Sequence, residues 1–419
     1  MGRIRELFRD RAVLSWALYD WANSVFATTV IAGFFPVFFK QYWSAGSDAV
    51  TSTAQLGFAN SIGSAFILIA APVLGALADS GAARKKYLAA FTGLGVAMAA
   101  GLWFVPEGDW SSAAIVYVLA TVGFSGSIIF YDALIVSVSP TERVDEVSAF
   151  GFSLGYIGGG LLFALNVAMT LSPATFGLAS AAEAVRLSFL TVAAWWLLFS
   201  LPLFRYVPEP GRVAQAASVL GTAFRSLGKT LGDFRGNRMV GLFLLAYFFY
   251  IDGVHTIIRM AVDYGLSLGF PSESLIVALL ITQFVGFPAA LAFGIAARRF
   301  GPKPALYVGV FVYVAVTVYA YFMDSVVEFY VLAATVGLVQ GGVQAVSRSL
   351  YARFVPPAQS GEFFGFFNML GRFAAIIGPA LVAVTGVLTG SSRLGILSVV
   401  LVLGVGLVLL TFVRVPKAA

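Results

Sequence analysis

The sequence contains no cysteine and only one histidine, His255. Without cysteine the chain can form no disulfide, and it has no thiolate to bind a metal or to act as a nucleophile. A single imidazole cannot build a histidine-rich metal site. We therefore expect neither a metal nor a cofactor.

Charge is also scarce, because only 11% of the 419 residues are charged while 59% are hydrophobic. The mean hydropathy is +0.91. A soluble protein of this length needs more charge to cover its surface, so the expected surroundings are a lipid bilayer. The net charge of +6 does not indicate nucleic-acid binding, because the basic residues are spread between apolar stretches. The N-terminal MGRIRELFRDR is too charged for a signal peptide.

Apolar stretches recur at the length that crosses a bilayer, about 20 residues. We predict twelve and number them spans 1 to 12. Their ranges are 14–39, 55–78, 87–105, 112–139, 147–170, 186–204, 239–262, 274–297, 304–323, 326–350, 362–387 and 394–414. The sequence thus predicts an all-α integral membrane protein with two six-helix halves, 1–204 and 239–419. The linker 205–238 contains a segment with the pattern of an amphipathic surface helix.

The distribution of Lys and Arg predicts the orientation. With the N-terminus inside, 21 of the 26 basic residues fall on the inner side, three fall outside and two lie within spans. We therefore expect both termini in the cytoplasm and the protein in a bacterial cytoplasmic (inner) membrane. Short connections predict one compact bundle, which we expect to work as a monomer.

The two halves repeat one another. An offset of 216 aligns Asp132 with Arg348, and it also aligns Pro140 with Pro356. In spans 1 and 7, LYDWANSV aligns with YIDGVHTI. After spans 2 and 8, GALADSGAARKK aligns with GIAARRFGPKP. Three matches in the same order predict a duplicated six-helix unit.

Two six-helix halves, a cytoplasmic linker and the basic loop GALADSGAARKK resemble the major facilitator superfamily. The arginine expected after the aspartate of that loop is Ser80 here. More specifically, WALYDWANSVFATTV, AYFFYIDGVHTI and GLVQGGVQAVSRSLYARFVPP are similar to the bacterial branch of the autophagy-related vacuolar effluxer family. The resemblance covers the whole chain and implies the major facilitator fold.

This resemblance implies secondary transport by alternating access. It suggests export or exchange of small organic solutes such as neutral or aromatic amino acids. The titratable residues within the spans, described below, suggest protons as the coupling ion. Two alternatives stay open: an exporter of amphipathic or lipid-like compounds, and a non-transporting membrane sensor or scaffold. We expect no enzyme, because the Gly151–Gly160 stretch lacks the lysine of a phosphate loop and no catalytic carboxylate pair lies outside the spans.

Ionisable residues inside spans are costly and are therefore functional candidates. The candidates for substrate binding and proton coupling are Asp20, Asn23 and Ser24 in span 1, and Asp252, His255, Thr256 and Arg259 in span 7. We expect Asp20, Asp252 and His255 to be the titratable part of a central cavity and Arg259 to engage an anionic group. The alternatives are a structural Asp252–Arg259 pair and an Asp20 that caps or pairs with a loop.

Further polar and aromatic residues are candidates for the cavity wall. They are Trp16, Tyr19, Tyr250, Gln340, Gln344, Asn368 and Arg372. Arg372 needs either a ligand anion or a structural carboxylate partner. The glycines of span 5 predict close packing against a neighbouring helix.

A third group predicts a gate at the cytoplasmic end. Its members are Asp79, Arg84, Asp132, Glu146, Arg348 and Glu362. Asp132 and Arg348 hold equivalent positions with opposite charges, so we expect them to meet across the two halves. The alternative is that each pairs within its own half.

Overall fold

The computed structural model describes residues 2–47, 51–52, 55–56, 59, 62–63, 65–67, 70–71, 73–75, 84–209, 238–356 and 359–415. These ranges contain helices and no strand. The predicted span 2 lies partly outside them. Asp79 and the linker from 210 to 237, with its predicted surface helix, lie wholly outside.

Eleven helices in the described ranges are long and apolar enough to cross a membrane. They are Arg11–Trp43, Arg84–Phe104, Trp110–Val138, Val144–Leu171, Ala181–Tyr206, Arg238–Ser267, Glu273–Phe300, Pro302–Phe322, Val326–Ala352, Ser360–Thr389 and Ser392–Phe412. They coincide with spans 1 and 3 to 12. Every described residue between 51 and 75, where span 2 is predicted, is also helical. The predicted all-α membrane fold is therefore confirmed.

The remaining helical segments are short. Gly2–Arg9 precedes span 1, Ile135–Val138 forms the end of span 4 and Pro173–Phe176 follows span 5. Span 3 ends in a 3₁₀ turn, Leu102–Phe104, and span 12 divides into Ser392–Leu397 and Val399–Phe412.

Most helices extend beyond the predicted apolar ranges. Span 7, for example, is predicted at 239–262 and runs from Arg238 to Ser267. Hydropathy detects only the part of a helix inside the hydrocarbon, whereas backbone hydrogen bonding continues into the interface with polar side chains. The apolar pattern therefore underestimates helix length.

Span 1 changes its helical geometry part-way along. It is α-helical over Arg11–Val25, π-helical over Phe26–Phe34, α-helical over Phe35–Phe38 and π-helical again over Phe39–Trp43. Pro36 has no backbone N–H, so it cannot donate to the carbonyl of the preceding turn. A wider helix before the proline is one way to accommodate that loss.

Spans 4 and 5 provide much of the contact between the two halves of the chain. Span 5 packs on span 1 and, in the second half, on spans 8 and 10, while span 4 packs on span 11. The boundaries of the two halves at 204 and 239 stay a prediction.

The glycines of span 5 allow span 1 to lie directly against it. A Cβ added at Gly151 would come within 2.6 Å of Asp20 Oδ2, and one at Gly155 would come within 2.6 Å of Ser24 Oγ. The predicted close packing of span 5 is therefore confirmed, with span 1 as the neighbour. Because of this contact, Asp20 lies at a helix–helix interface.

Candidate functional site

Arg348 joins the second half of the chain to the first. It lies near the end of span 10 with 3% of its surface exposed. Its Nη1 donates to Asp132 Oδ1 of span 4 at 3.1 Å, and its Nη2 donates to Asp20 Oδ2 of span 1 at 3.3 Å. A single guanidinium therefore binds two carboxylates that come from two helices of the other half.

Neutral groups add further hydrogen bonds to this arginine and to its two carboxylates. Ser148 of span 5 accepts from Nε through its hydroxyl at 2.9 Å and from Nη2 through its carbonyl at 3.0 Å. The Tyr131 hydroxyl donates to Asp20 Oδ2 at 2.7 Å, and Asn368 Nδ2 of span 11 donates to Asp132 Oδ2 at 3.1 Å. We call these residues the Arg348 network: Asp20, Tyr131, Asp132, Ser148, Arg348 and Asn368.

Aromatic rings surround the Arg348 guanidinium. Its Cζ lies 4.8 Å from the Trp16 ring and 4.4 Å from the Phe152 ring. Trp16 stacks on Tyr131 with ring centroids 4.6 Å apart, and its indole N–H donates to the Tyr131 carbonyl at 3.1 Å. Cation–π contacts and exclusion of water strengthen the ion pairs, and they also make loss of either partner costly.

Two further ion pairs lie beside this network. Asp145 at the start of span 5 binds Arg353 and the Ser349 hydroxyl at the end of span 10. Glu146 binds Arg298 at the end of span 8 at 2.7 Å. These pairs also connect the first half to the second, so charged contacts join the halves at the end of the bundle where span 1 begins.

A second group of charges lies within the second half, around Asp252 of span 7. Asp252 has no exposed surface, and its Oδ1 accepts from the backbone N–H of Gly378 in span 11 at 3.0 Å. Gly378 precedes Pro379, which interrupts the helical hydrogen bonds of span 11. The carboxylate therefore satisfies a backbone donor at an interrupted turn. A Cβ at Gly378 would collide with Thr256, so spans 7 and 11 are in direct contact here.

Two arginines lie on the same two helices, and we call them the arginine pair: Arg259, seven residues after Asp252 in span 7, and Arg372, six residues before Gly378 in span 11. Arg259 is exposed and Arg372 is half-buried. Within the part of the chain that the structure describes, Arg372 forms no ion pair with a carboxylate.

Comparison with known proteins identifies the family. The family described as "Vacuole effluxer Atg22 like" matches residues 9–138 and 135–419. The chain belongs to this Atg22-like family. It is 43% identical over 401 residues to the uncharacterized MFS-type transporter YxiO of Bacillus subtilis, covering 95% of this chain and 94% of that protein.

Other similarities agree with this assignment. The chain is 29% identical over 294 residues to autophagy-related protein 22 of Cryptococcus neoformans, covering 65% of this chain and 51% of the fungal protein. The solved structure of the proton:xylose symporter XylE matches with a TM-score of 0.72 at 16% identity, covering 97% of this chain and 95% of that one. This Atg22-like protein therefore has the major facilitator fold and is a membrane transporter.

The structure places the predicted site residues of this Atg22-like protein in different surroundings. Asp20 lies in the Arg348 network, whereas Asp252 lies with Gly378. The half-buried His255 and buried Thr256 stay on the Asp252 side of span 7. Asn23 is buried, and Ser24 packs against span 5. Whether any of these residues binds substrate or a proton stays a prediction.

The predicted cavity aromatics contact neighbouring helices. The Tyr19 hydroxyl lies 2.6 Å from Thr92 Oγ1 of span 3, and the Tyr250 hydroxyl lies 2.7 Å from Ser347 Oγ of span 10. Trp16 contacts Arg348. Gln340 and Gln344 are half-buried on span 10.

Among the predicted gate residues, Asp132 and Arg348 meet across the two halves. Glu146 pairs with Arg298, while Arg84 and Glu362 are buried elsewhere. The gate function itself stays a prediction.

Several residues of the site were not predicted. Ser148 and Tyr131 are uncharged, so nothing in the sequence separates them from other polar residues of the spans. Asp145 and Arg353 carry charge, but both lie outside the predicted spans, so they were not among the candidates for charges inside the membrane. One feature of the sequence could have indicated these ion pairs. Two acids, Asp145 and Glu146, lie at the start of span 5, and two bases, Arg298 and Arg353, lie at the ends of spans 8 and 10.

Proposed function

We propose that this transporter works by alternating access and exports or exchanges small organic solutes such as neutral or aromatic amino acids, coupled to protons. The observation that carries the proposal is Arg348, which binds carboxylates of spans 1 and 4 from span 10. Charged contacts between two halves can be broken and remade without exposing an apolar core. A carrier that opens alternately to two sides needs such contacts.

The closed end is the cytoplasmic end in this proposal. The basic residues predict cytoplasmic termini, and the Arg348 network lies at the end of the bundle where span 1 begins. In this proposal the state in which the Arg348 network is formed is the outward-facing state, the protein lies in a bacterial cytoplasmic membrane, and a monomer is the working unit. We place the moving bodies at 1–204 and 239–419.

Alternating access can be tested with single cysteines, since the chain contains none. Asp263 is exposed near the end of span 7 that is farther from the Arg348 network, and Ser349 is buried beside that network in span 10. Asp263→Cys should react with a membrane-impermeant thiol reagent from outside, and Ser349→Cys should react from the cytoplasmic side only while transport runs. Constant labelling of both sites during transport would contradict the proposal and favour a static sensor or scaffold.

Substrate class is tested in proteoliposomes containing the purified protein. Labelled phenylalanine and leucine should move, and unlabelled neutral amino acids should compete. Competition by amphipathic compounds without competition by amino acids would instead support the alternative exporter.

Proton coupling is tested with the same vesicles, with and without a pH gradient. Asp20, Asp252 and His255 are the titratable residues of the proposed mechanism, because a buried carboxylate or imidazole can gain and lose a proton as its surroundings change. Asp20→Asn and Asp252→Asn should each reduce dependence on the gradient. If both variants keep wild-type uptake and pH dependence, these residues do not couple protons.

A further inference from the structure

A groove with a volume of about 440 Å³ lies between spans 9 and 12, and we call it the 9/12 groove. Its walls include Tyr307, Val308 and Phe311 of span 9 and Leu407, Val408 and Thr411 of span 12. Val308, Phe311 and Val408 are each more than half exposed, whereas Leu306 and Tyr313 on the opposite face of span 9 are buried. The groove therefore lies on the outer surface of the second half, where the surroundings are lipid.

The groove extends inward from one end of these helices over the depth of one leaflet. Tyr307 and Phe311 follow Lys303 by four and eight residues, which places them about 6 Å and about 12 Å beyond this lysine along span 9. The hydrocarbon of one leaflet is about 15 Å thick. The hydroxyls in the groove donate to backbone carbonyls of span 12, Tyr307 to Leu407 and Thr411 to Val408. The wall that remains is an apolar surface.

Lys303 lies at the end of the 9/12 groove. Its Nζ donates to the carbonyls of Thr411 at 2.7 Å and Val413 at 2.8 Å, so it joins the start of span 9 to the end of span 12. The carbonyls at the end of a helix carry partial negative charge, and capping span 12 is one role of this lysine. An ammonium group has three N–H donors, and these two bonds leave the third for a ligand.

Arg414 supplies a second positive charge directly after Val413. Its side chain is exposed. Within the described part of the chain, neither Lys303 nor Arg414 forms an ion pair with a carboxylate. Two cations without a carboxylate partner thus lie where the apolar groove meets the membrane surface.

The first half has a similar lysine bridge with a different charge balance. Lys85 Nζ donates to the Val207 carbonyl at 2.7 Å and joins span 3 to the end of span 6. There Glu209 accepts from the backbone N–H of Lys85 at 3.0 Å. A carboxylate beside the lysine disfavours an anionic ligand at that end, so the bridge between spans 9 and 12 is the better site for an anion.

We propose that the 9/12 groove binds an acidic phospholipid, with one acyl chain against spans 9 and 12 and the phosphate at Lys303 and Arg414. Apolar walls bind the hydrocarbon of any lipid, whereas cations at the membrane surface select a negatively charged headgroup. With the termini in the cytoplasm, as the basic residues predict, the groove lies in the cytoplasmic leaflet. The site goes beyond the proposed function, since it does not depend on what is transported.

The test measures which lipid lies beside the groove. The full-length Val405→Cys variant, labelled with bimane, places a fluorophore on an exposed residue of span 12 outside the lining of the groove. The protein is reconstituted in phosphatidylcholine vesicles that contain increasing fractions of brominated phosphatidylglycerol or brominated phosphatidylcholine. We expect half-maximal quenching at a fraction of the phosphatidylglycerol about 10- to 30-fold lower, the preference expected from two cations.

A label on span 6 provides the matched control. Leu197 is exposed and lies eight residues before the exposed Arg205, as Val405 lies nine residues before Arg414. Leu197→Cys labelled in the same way should distinguish the two brominated lipids far less. Arg205→Gln, made in the Val405→Cys chain, should leave the preference at the groove unchanged.

Three variants in the Val405→Cys chain separate the headgroup from the acyl chain. Arg414→Gln leaves the Lys303 bridge intact and should reduce the preference for phosphatidylglycerol by about 5-fold. Lys303→Gln should act in the same direction, although it also removes the cap of span 12. Val408→Phe keeps both charges but fills part of the groove, so it should raise the fraction of phosphatidylglycerol needed for quenching.

Equal quenching by the two brominated lipids at Val405→Cys would overturn the site, as would an unchanged preference in Arg414→Gln. An unchanged preference in Val408→Phe would show that the headgroup binds without a chain in the groove. Quenching by neither lipid would mean that a second copy of the chain covers this face instead of lipid. None of these measurements uses transport, so failure of the lipid site and failure of the proposed function are distinguishable.

Discussion

The Arg348 network and the surroundings of Asp252 satisfy buried carboxylates in different ways. In the first, one arginine is buried between two carboxylates from the other half of the chain. In the second, the buried carboxylate of Asp252 accepts from the backbone N–H of Gly378 in the same half. One region therefore joins the two halves through ion pairs, and the other joins two helices of one half through a backbone donor.

The difference indicates different roles for the two regions. A buried cation that donates to two carboxylates and to Ser148 of the other half stabilises a single arrangement of the two halves. The hydrogen bond from Gly378 to Asp252 instead holds two helices of the same half together. We therefore expect substitutions in the Arg348 network to affect folding and gating, and substitutions around Asp252 and Gly378 to affect the packing of spans 7 and 11.

Removing the shared arginine should have the largest effect. Arg348→Gln leaves Asp20 and Asp132 as unpaired acids inside the membrane, which should lower the free energy of unfolding by about 3–5 kcal/mol. Thermal unfolding in detergent measures the loss of stability, and uptake by vesicles measures the loss of transport. Arg393→Gln is the matched control, because Arg393 pairs with an exposed Asp324 in a loop. Equal stability of the two variants would show that the network does not hold the halves together.

Removing one carboxylate at a time should have a smaller effect. After Asp20→Asn or Asp132→Asn, Arg348 still has one acid, so each variant should lose less than about 2 kcal/mol. The double variant leaves Arg348 without an acid, and its loss should exceed the sum of the single losses by about 0.5–3 kcal/mol. A double-mutant cycle on thermal unfolding measures this excess. Strict additivity would mean that the two acids do not share Arg348.

The cross-half contact was predictable because of the internal repeat. Asp132 and Arg348 are 216 residues apart, which is the offset between the halves. Equivalent residues of two repeats can touch only near the axis that relates the repeats, and opposite charges at those positions favour contact. The sequence therefore predicted both the pair and its position between the halves.

The position of Asp20 was not predictable in the same way. Periodicity assigns a residue to a face of its helix, but it does not tell which neighbouring helix that face contacts. The alignment of Asp20 with Asp252 suggested one shared cavity. The glycines of span 5 instead allow span 1 to bring Asp20 against Tyr131 and Arg348. Long-range packing of this kind depends on all the helices together.

The spans were predictable from hydropathy alone, because every backbone group in lipid must be satisfied inside its own helix. The π-helical turns of span 1 were not, since they depend on how Pro36 is accommodated by its neighbours. The interrupted turn at Gly378 was likewise only partly predictable. Pro379 is visible in the sequence, but the carboxylate that accepts from Gly378 is that of Asp252, 126 residues away.

The third prediction concerns the contact between spans 7 and 11. Gly378→Ala should cost about 1–3 kcal/mol by overpacking, because the new methyl group meets Thr256 and crowds Asp252. Thr256→Ala in the same chain should relieve part of that loss. Gly404→Ala is the control, since a Cβ there has no neighbour within 4 Å. Thermal unfolding compares the variants, and no rescue by Thr256→Ala would contradict the contact.

The smallest expected effect comes from a neutral member of the Arg348 network. Asn368→Ala removes one neutral hydrogen bond to Asp132, which should lower the stability by about 1 kcal/mol, because the Arg348–Asp132 ion pair stays in place. Thermal unfolding in detergent measures this loss beside that of Arg348→Gln. A loss as large as that of Arg348→Gln would mean that the amide, and not the ion pair alone, holds Asp132 in position.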